Sequence, residues 1–303
     1  MEVISITKDY KAANPCTIAL GNFDGVHLAH KKLIESAIKM AKKKNVKAAV
    51  LIFSNHTKTV LDSKRQELIT TNKYKDKILE DLGIDIVYEI VFDSDFMKLT
   101  PQEFFEDFLI KNLNVKGIVV GFDYRFGYKA SGNVESLKSF CQKEGIDLEV
   151  IAPVYSNGEI IGSTMIREAI KAGRMIRVEE LLGRPFTIFG KVVEGKHLAS
   201  KMHYPTANID FSEDYVVPRY GVYDTDVVID GKIYRGATSV GTNPTTKDRQ
   251  LKIETHILDF SEKIYGKVIA LKFRNFIRPE INFESIEKLF DQIEKDVQTV
   301  RNR

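Results

Sequence analysis

Short apolar runs alternate with amphipathic stretches through the first half of the chain. The runs are Thr17–Leu20, Ala48–Phe53, Ile84–Tyr88, Gly117–Val120 and Leu148–Ile151, lengths that suit strands buried on both faces of a parallel sheet. Between the first two, residues 30–44 set Leu33, Ile34, Ala37, Ile38 and Ala41 on one helical stripe, with lysines mostly on the other. That pattern predicts a strand, a helix and a second strand in succession.

After Leu182-Gly183-Arg184-Pro185 the periodicity changes. Phe186–Val193, Gly221–Ile229, Lys232–Val240, Ile253–Phe260 and Val268–Ile277 read as strands. Asp230-Gly231 between two of them predicts a two-residue hairpin, because both central positions of a type I′ turn need positive φ. A last helix over residues 284–300 carries Ile286, Leu289, Phe290, Ile293 and Val297 at helical spacing. The expectation is an α/β parallel-sheet domain over residues 1–183, then a small antiparallel β-barrel with a C-terminal helix over 184–303. No repeat or low-complexity linker separates them.

Composition sharpens this only slightly. A length of 303 residues agrees with two domains. Lys and Arg number 45 against 42 Asp and Glu, a surplus of +3, too small to argue for a nucleic-acid partner. Cys16 and Cys141 lie far apart, with no neighbour at metal-ligand spacing, which suits a reduced compartment. The N-terminus lacks an apolar leader, and no apolar run approaches the ~18 residues of a membrane span. A soluble, cytoplasmic protein with no membrane partner is expected, its oligomeric state open.

Three segments carry candidate chemistry. Gly21-Asn22-Phe23-Asp24-Gly25-Val26-His27 leads from an apolar run into the lysine-rich helix. A helix N-terminus offers unpaired N–H groups and a positive dipole, and small residues before it let phosphate reach the backbone. His27 and His30 stand at that opening, where an imidazole can donate to phosphate oxygens. The pattern is neither a P-loop nor a dinucleotide fingerprint. The same two histidines fit helix capping, and a zinc site lacks a third ligand. Ser163-Thr164-Met165-Ile166-Arg167 reads as a helix start with a forked phosphate donor one turn in. Thr206 and Asn208, after Pro205, supply neutral oxygens two residues apart, which in an extended segment face one side and suit a magnesium ion. An ordinary turn after Pro205 fits the tetrapeptide as well.

In combination these segments resemble the prokaryotic bifunctional riboflavin kinase/FMN adenylyltransferase family, also called FAD synthetases. Residues 21–30 are similar to its Gly-x-Phe-Asp-Gly-x-His-x-Gly-His signature. Val119–Gly127, which includes Asp123 and Arg125, resembles its Val-Gly-x-Asp-(Phe/Tyr)-Arg-Phe-Gly stretch, and residues 163–167 resemble its Ser-Thr-x-Ile-Arg motif. Pro205–Asn208, Pro218–Tyr223, Gly241–Pro244, Ile253–Phe260 and Phe276–Glu280 follow in the family's order.

The resemblance implies a nucleotidyltransferase-like, Rossmann-like first domain and a riboflavin kinase second domain. It implies ATP and Mg²⁺ for both steps, riboflavin and FMN as substrates, and FMN and FAD as products. ATP would be held by Gly21, Asn22, Phe23, Asp24, Gly25, Ser163, Thr164, Arg167, Gly195 and Lys196, with His27 and His30 acting on its phosphates. Flavin would meet Phe53, His56, Asp123, Arg125 and Arg278. Thr206 and Asn208 would hold the kinase metal, and Glu254 would be the general base. Retention of a single activity, or flavin binding without turnover, are the alternatives. Ala29 stands where the family has glycine, Asn55 and Thr57 where it has proline, and Ala199 and His203 at glycine positions of a flap.

Overall fold

The computed structural model describes residues 1–53, 67–194, 205–211, 213–242 and 251–303. Its first strand, Glu2–Ile6 (β1), escapes the apolar-run reading because it is a largely exposed edge strand paired only with β4, Ile86–Ile90. Cys16–Leu20 (β2), buried throughout, leads to helix Leu28–Lys44 (α1), and the chain returns as Lys47–Phe53 (β3), parallel to β2. The expected stripe of α1 is the buried one, with Leu33, Ile34, Ala37 and Ala41 inside. Each such side chain contributes roughly 1.5–3 kcal/mol when fully buried, alanine less. Asn45 ends α1 in the left-handed conformation, after three lysines that suit the negative end of the dipole.

Helix Asn72–Leu82 (α2) precedes β4, capped by Thr71 at its start and Gly83 at its end. Thr100 and Glu103 form a capping box with Pro101 at the first helical position, and the helix continues as a wide π-type stretch over Phe104–Asn112. Phe104, Phe105, Phe108 and Leu109 from that stretch are buried. Strand Val115–Gly121 (β5), helix Val134–Glu144 (α3) and strand Asp147–Ile151 (β6) follow. The sheet runs β1-β4-β3-β2-β5-β6, and every pairing is parallel. A small hairpin, Tyr155–Ser156 (β7) with Glu159–Ile160 (β8), closes this part.

The chain divides into units of residues 1–163 and 164–303, at the first residue of helix Ser163–Lys171 (α4). In the second unit, helix Met175–Leu182 (α5) buries Met175, Val178, Leu181 and Leu182 beside strands Phe186–Val193 (β9) and Val268–Pro279 (β14). Arg274 of β14 bonds to Glu179 of α5 at 3.1 Å and to Asp226 at 2.7 Å. Strands Thr206–Asp210 (β10), Gly221–Ile229 (β11), Lys232–Thr242 (β12) and Leu251–Ile257 (β13) complete a closed barrel in the order β10-β13-β12-β11-β14-β9. The hairpin at Asp230 and Gly231 has positive φ at both residues, 49° and 81°, as a type I′ turn requires. The sixth strand, β10, reads in sequence only as an extended segment. β13 stops at Ile257, since Leu258 leads into a turn with Asp259 at φ 55°.

Inside the barrel, Thr225 Oγ1 lies 2.7 Å from Thr238 Oγ1, which in turn donates to Thr255 Oγ1 at 2.8 Å. This ladder satisfies three hydroxyls that are fully buried. It also fixes the parity of β13, because a one-residue slip would turn Thr255 out and Glu254 in. Helix Ile286–Arg301 (α6) packs on β12, and Val297 and Val300 join Leu258 in a small apolar cluster. Among the described residues no helix is long and apolar enough to cross a membrane.

Candidate active sites

In the parallel sheet, β3 and β4 succeed β2 on one side while β5 and β6 lie on the other. The crevice beyond the carboxyl ends of β2 and β5 is therefore a topological switch point, where open α/β sheets take ligands. The turn of residues 21–27 fills that place. Phe23, Gly25 and Val26 all have positive φ, at 48°, 85° and 38°. For phenylalanine and β-branched valine such angles cost on the order of 1–3 kcal/mol each. Complete burial of both side chains holds them there.

His27 caps α1. Its Nδ1 accepts from the backbone N–H of His30 at 3.4 Å, and the two imidazoles stack with centroids 3.6 Å apart and planes 16° from parallel. An accepting Nδ1 puts the proton of a neutral ring on Nε2. Capping and phosphate donation, alternatives in the sequence, thus use different nitrogens of one ring.

Asp24 turns inward. It is 3% exposed, and its carboxylate accepts from the N–H groups of Ile69 at 3.1 Å and Thr70 at 3.2 Å. Its carbonyl accepts from Ser163 Oγ at 2.9 Å. Lys75 of α2 is nearly as buried, at 5% exposed, and donates to Asn72 Oδ1 at 3.1 Å. Burial holds its ammonium below the usual lysine range, opposed by the charges of Asp24, Asp76 and Glu89.

Phe53 ends β3 half-buried, edge-on to Phe92 just beyond β4 with centroids 5.2 Å apart. Asp123 and Arg125 are exposed in the turn after β5, with Phe126 buried next to them. Gly21 is half-buried and Asn22 exposed. Thr164, exposed, and Arg167, half-buried, occupy the first turns of α4 in the second unit. His56, Gly195 and Lys196 lie outside the described residues, as do Asn55, Thr57, Ala199 and His203.

On the barrel, Asn208 of β10 pairs directly with Glu254 of β13, and Thr206 with His256. Ser239 of β12 pairs with Glu254 from the other side. Directly opposed residues share a sheet face, with Cβ atoms ~4.5–5.5 Å apart. Thr206, Asn208 and Glu254 therefore share the outer face, while Ile253, Thr255 and Ile209 point inward and are buried.

A family model described as FAD synthetase matches residues 9–165, and one described as riboflavin kinase matches residues 182–303. A bifunctional riboflavin kinase/FMN adenylyltransferase of Listeria monocytogenes is 38% identical over 94% of this chain and 91% of its own. The chain belongs to the bifunctional riboflavin kinase/FMN adenylyltransferase family. A member from Haemophilus influenzae is 35% identical over 94% of this chain and 93% of its own. A solved structure from Streptococcus pneumoniae, described as a macrolide-efflux protein, superposes with a TM-score of 0.91 over 99% of both chains at 32% identity. As a member of this family the chain phosphorylates riboflavin to FMN and adenylylates FMN to FAD, with ATP as substrate of both reactions.

Two expected site residues of this flavin-synthesising chain are engaged within the protein itself. Arg278 makes a forked contact with Asp296 of α6, Nε to Oδ1 at 2.9 Å and Nη2 to Oδ2 at 2.7 Å, and its Nη1 donates to the Pro279 carbonyl. Asp296 is 5% exposed and Arg278 15%, so the pair anchors the closing helix against β14. Asp24 is engaged likewise, with Ile69 and Thr70. Lys75 went unnoticed in the sequence, although Lys75, Ile78, Leu79 and Leu82 have the i, i+3, i+4, i+7 spacing of a buried stripe. A lysine on such a stripe is the available signal.

Proposed function

We propose that the two activities use separate sites, divided functionally as residues 1–183 and 184–303. FMN adenylylation is assigned to the carboxyl edge of the parallel sheet. There the α1 N-terminus and the backbone of residues 21–27 receive ATP phosphates, and His27 and His30 donate to the charge that develops as pyrophosphate leaves. An FMN phosphate oxygen attacks the α-phosphorus. Phe53, Asp123 and Arg125, in turns and strand ends of the same edge, are assigned to FMN.

Riboflavin phosphorylation is assigned to the outer face of the barrel. The observation that carries this is the Asn208–Glu254 pairing, which sets a carboxylate beside two neutral oxygens. Glu254 accepts the proton of the riboflavin 5′-hydroxyl as that oxygen attacks the γ-phosphate of ATP. Thr206 Oγ1 and Asn208 Oδ1 fit magnesium, a hard cation that prefers oxygen ligands and is usually shared with substrate phosphates. That sharing agrees with the lack, among the described residues, of any cluster of three acidic, His or Cys ligands. When bound, the ion neutralises phosphate charge. The buried free thiols of Cys16 and Cys141 support a cytoplasmic setting.

Asn208→Ala tests the barrel assignment. Kinase turnover should fall by about tenfold, and the magnesium concentration for half-maximal rate should rise. An unchanged magnesium dependence would remove Asn208 from the metal.

A further inference from the structure

We infer that His256 is a positioning residue for riboflavin phosphorylation, which holds the Pro205 carbonyl through its ring Nδ1 and so pins Thr206 at the start of β10. The inference rests on the assignment of magnesium to Thr206 and Asn208.

β10 is anchored unevenly along its length. Asn208 and Ile209 are paired on both sides, with Val193 and Val192 of β9 and with Glu254 and Ile253 of β13. Among the described residues Thr206 is paired on one side only, with His256. A strand end held on one side opens more readily than the middle of the strand. Pro205, just before it, has no N–H to give to a neighbour. Its carbonyl is the polar group left by which this end can be tied down, and the His256 ring lies on it, Nδ1 to oxygen at 3.0 Å.

A carbonyl can only accept, so Nδ1 carries the proton in this bond. The neutral ring protonated there and the imidazolium both make it, so the hold does not depend on the charge of the ring. The peptide from Pro205 to Thr206 is planar, and fixing its oxygen fixes the plane from which Thr206 departs. Thr206 is branched at Cβ and has few rotamers open to it. Together these constraints limit where its Oγ1 can lie. Magnesium demands near-octahedral ligands at about 2.0–2.1 Å, so a small displacement at the strand end is enough to weaken its binding. His256 stands two residues from Glu254 on the same face of β13. One strand thus carries the proposed base and pins the end of the strand assigned to the metal.

The test uses the full-length chain with His256→Leu, His256→Asn, His256→Gln, Thr206→Val and the double variant Thr206→Val/His256→Leu. FMN formation is titrated with Mg²⁺ for each, and FAD formation from supplied FMN reports on the rest of the chain. His256→Leu should raise the magnesium concentration for half-maximal FMN formation by about three- to tenfold. It should lower kcat at saturating magnesium by less, and leave FAD formation unaffected. Asparagine carries an N–H donor on Cγ, where Nδ1 is attached, whereas glutamine carries it one carbon further out. His256→Asn should therefore recover most of the loss and His256→Gln little. Because His256 acts through Thr206, the double variant should need no more magnesium than Thr206→Val alone.

A parent-like magnesium requirement in His256→Leu would overturn the inference. So would equal behaviour of the Asn and Gln variants, or shifts that add in the double variant. If His256→Leu does not fold, the comparison of Asn with Gln carries the test. Asn208→Ala separates this from the assignment beneath it: an unshifted magnesium requirement in that variant would remove the metal from Asn208, whatever His256 does. A shift there with none in His256→Leu would refute the role of His256 alone.

Discussion

The sheet edge and the barrel face, the two sites proposed to take ATP phosphates, are built by different constructions. At the sheet edge, a strained turn is held by contacts among segments far apart in sequence, as the hydrogen bonds of Asp24 show. On the barrel face, three residues on adjacent strands are aligned by register alone, Asn208 opposite Glu254 and Thr206 one step along. Damage to the first site should follow from loosening tertiary contacts, and damage to the second from shifting a strand. The first also stores strain, whereas β10 and β13 are regular, with no positive φ among their residues.

The largest effect should come from where the chain is cut. A fragment of residues 164–303 keeps α4 and α5 with the barrel and should fold and make FMN. A fragment of residues 184–303 loses the buried Met175, Val178, Leu181 and Leu182 and strips Arg274 of Glu179. At ~1.5–3 kcal/mol per buried apolar side chain, it should be less stable by more than about 5 kcal/mol. Chemical denaturation of the two fragments measures the difference. Equal stability would mean that α5 is an appendage and that the barrel face is independent of it.

A smaller effect is expected at Ala29, the second residue of α1, between the stacked histidines. Its φ is negative, unlike those of Phe23 and Val26, so alanine is conformationally at ease and only its methyl can matter. Ala29→Gly should raise FAD formation a few-fold and leave FMN formation alone. Steady-state rates with FMN and with riboflavin decide this, and a lower FAD rate would mean that the helix start needs the alanine.

No effect is expected at the cysteines. Burial pushes the thiols of Cys16 and Cys141 up to about 12. Thiolate is the reactive form, so neither should react with an alkylating reagent at pH 8 while the chain is folded. Rapid labelling of the native protein, followed by mass spectrometry, would show that the first unit, which holds both cysteines, opens.

Much of the fold was legible because both domains obey simple periods. Apolar runs marked the buried strands β2 to β5 and also the edge strand β6, which is only partly buried and not covered on both faces as its run suggests. Asp230-Gly231 marked a hairpin. The exposed edge strand β1 was not legible, since a strand paired on one side needs no apolar run. The helix starting at Pro101 had a readable signal, Thr100 and Glu103 around a proline, that apolar spacing alone passes over. At the sites, the residue types were readable but their commitments were not. Asp24 and Arg278 belong to motifs that suggest ligand contact, and only the fold shows Ile69, Thr70 and Asp296 taking up their polar atoms. Conversely, the Asn208–Glu254 pairing depends on the register of β10 against β13, which no local pattern encodes.

The central claim is that one chain carries two independent sites, and a crossed pair of variants tests it most directly. Full-length protein, Glu254→Gln and His27→Ala are each incubated with riboflavin, ATP and Mg²⁺, and separately with FMN, ATP and Mg²⁺, and flavins are resolved by chromatography. Glu254→Gln should lose FMN formation by on the order of 10²-fold or more yet still convert supplied FMN to FAD. His27→Ala should accumulate FMN and make no FAD from either substrate. Loss of both activities in either variant, or near-normal FMN formation by Glu254→Gln, would contradict the account.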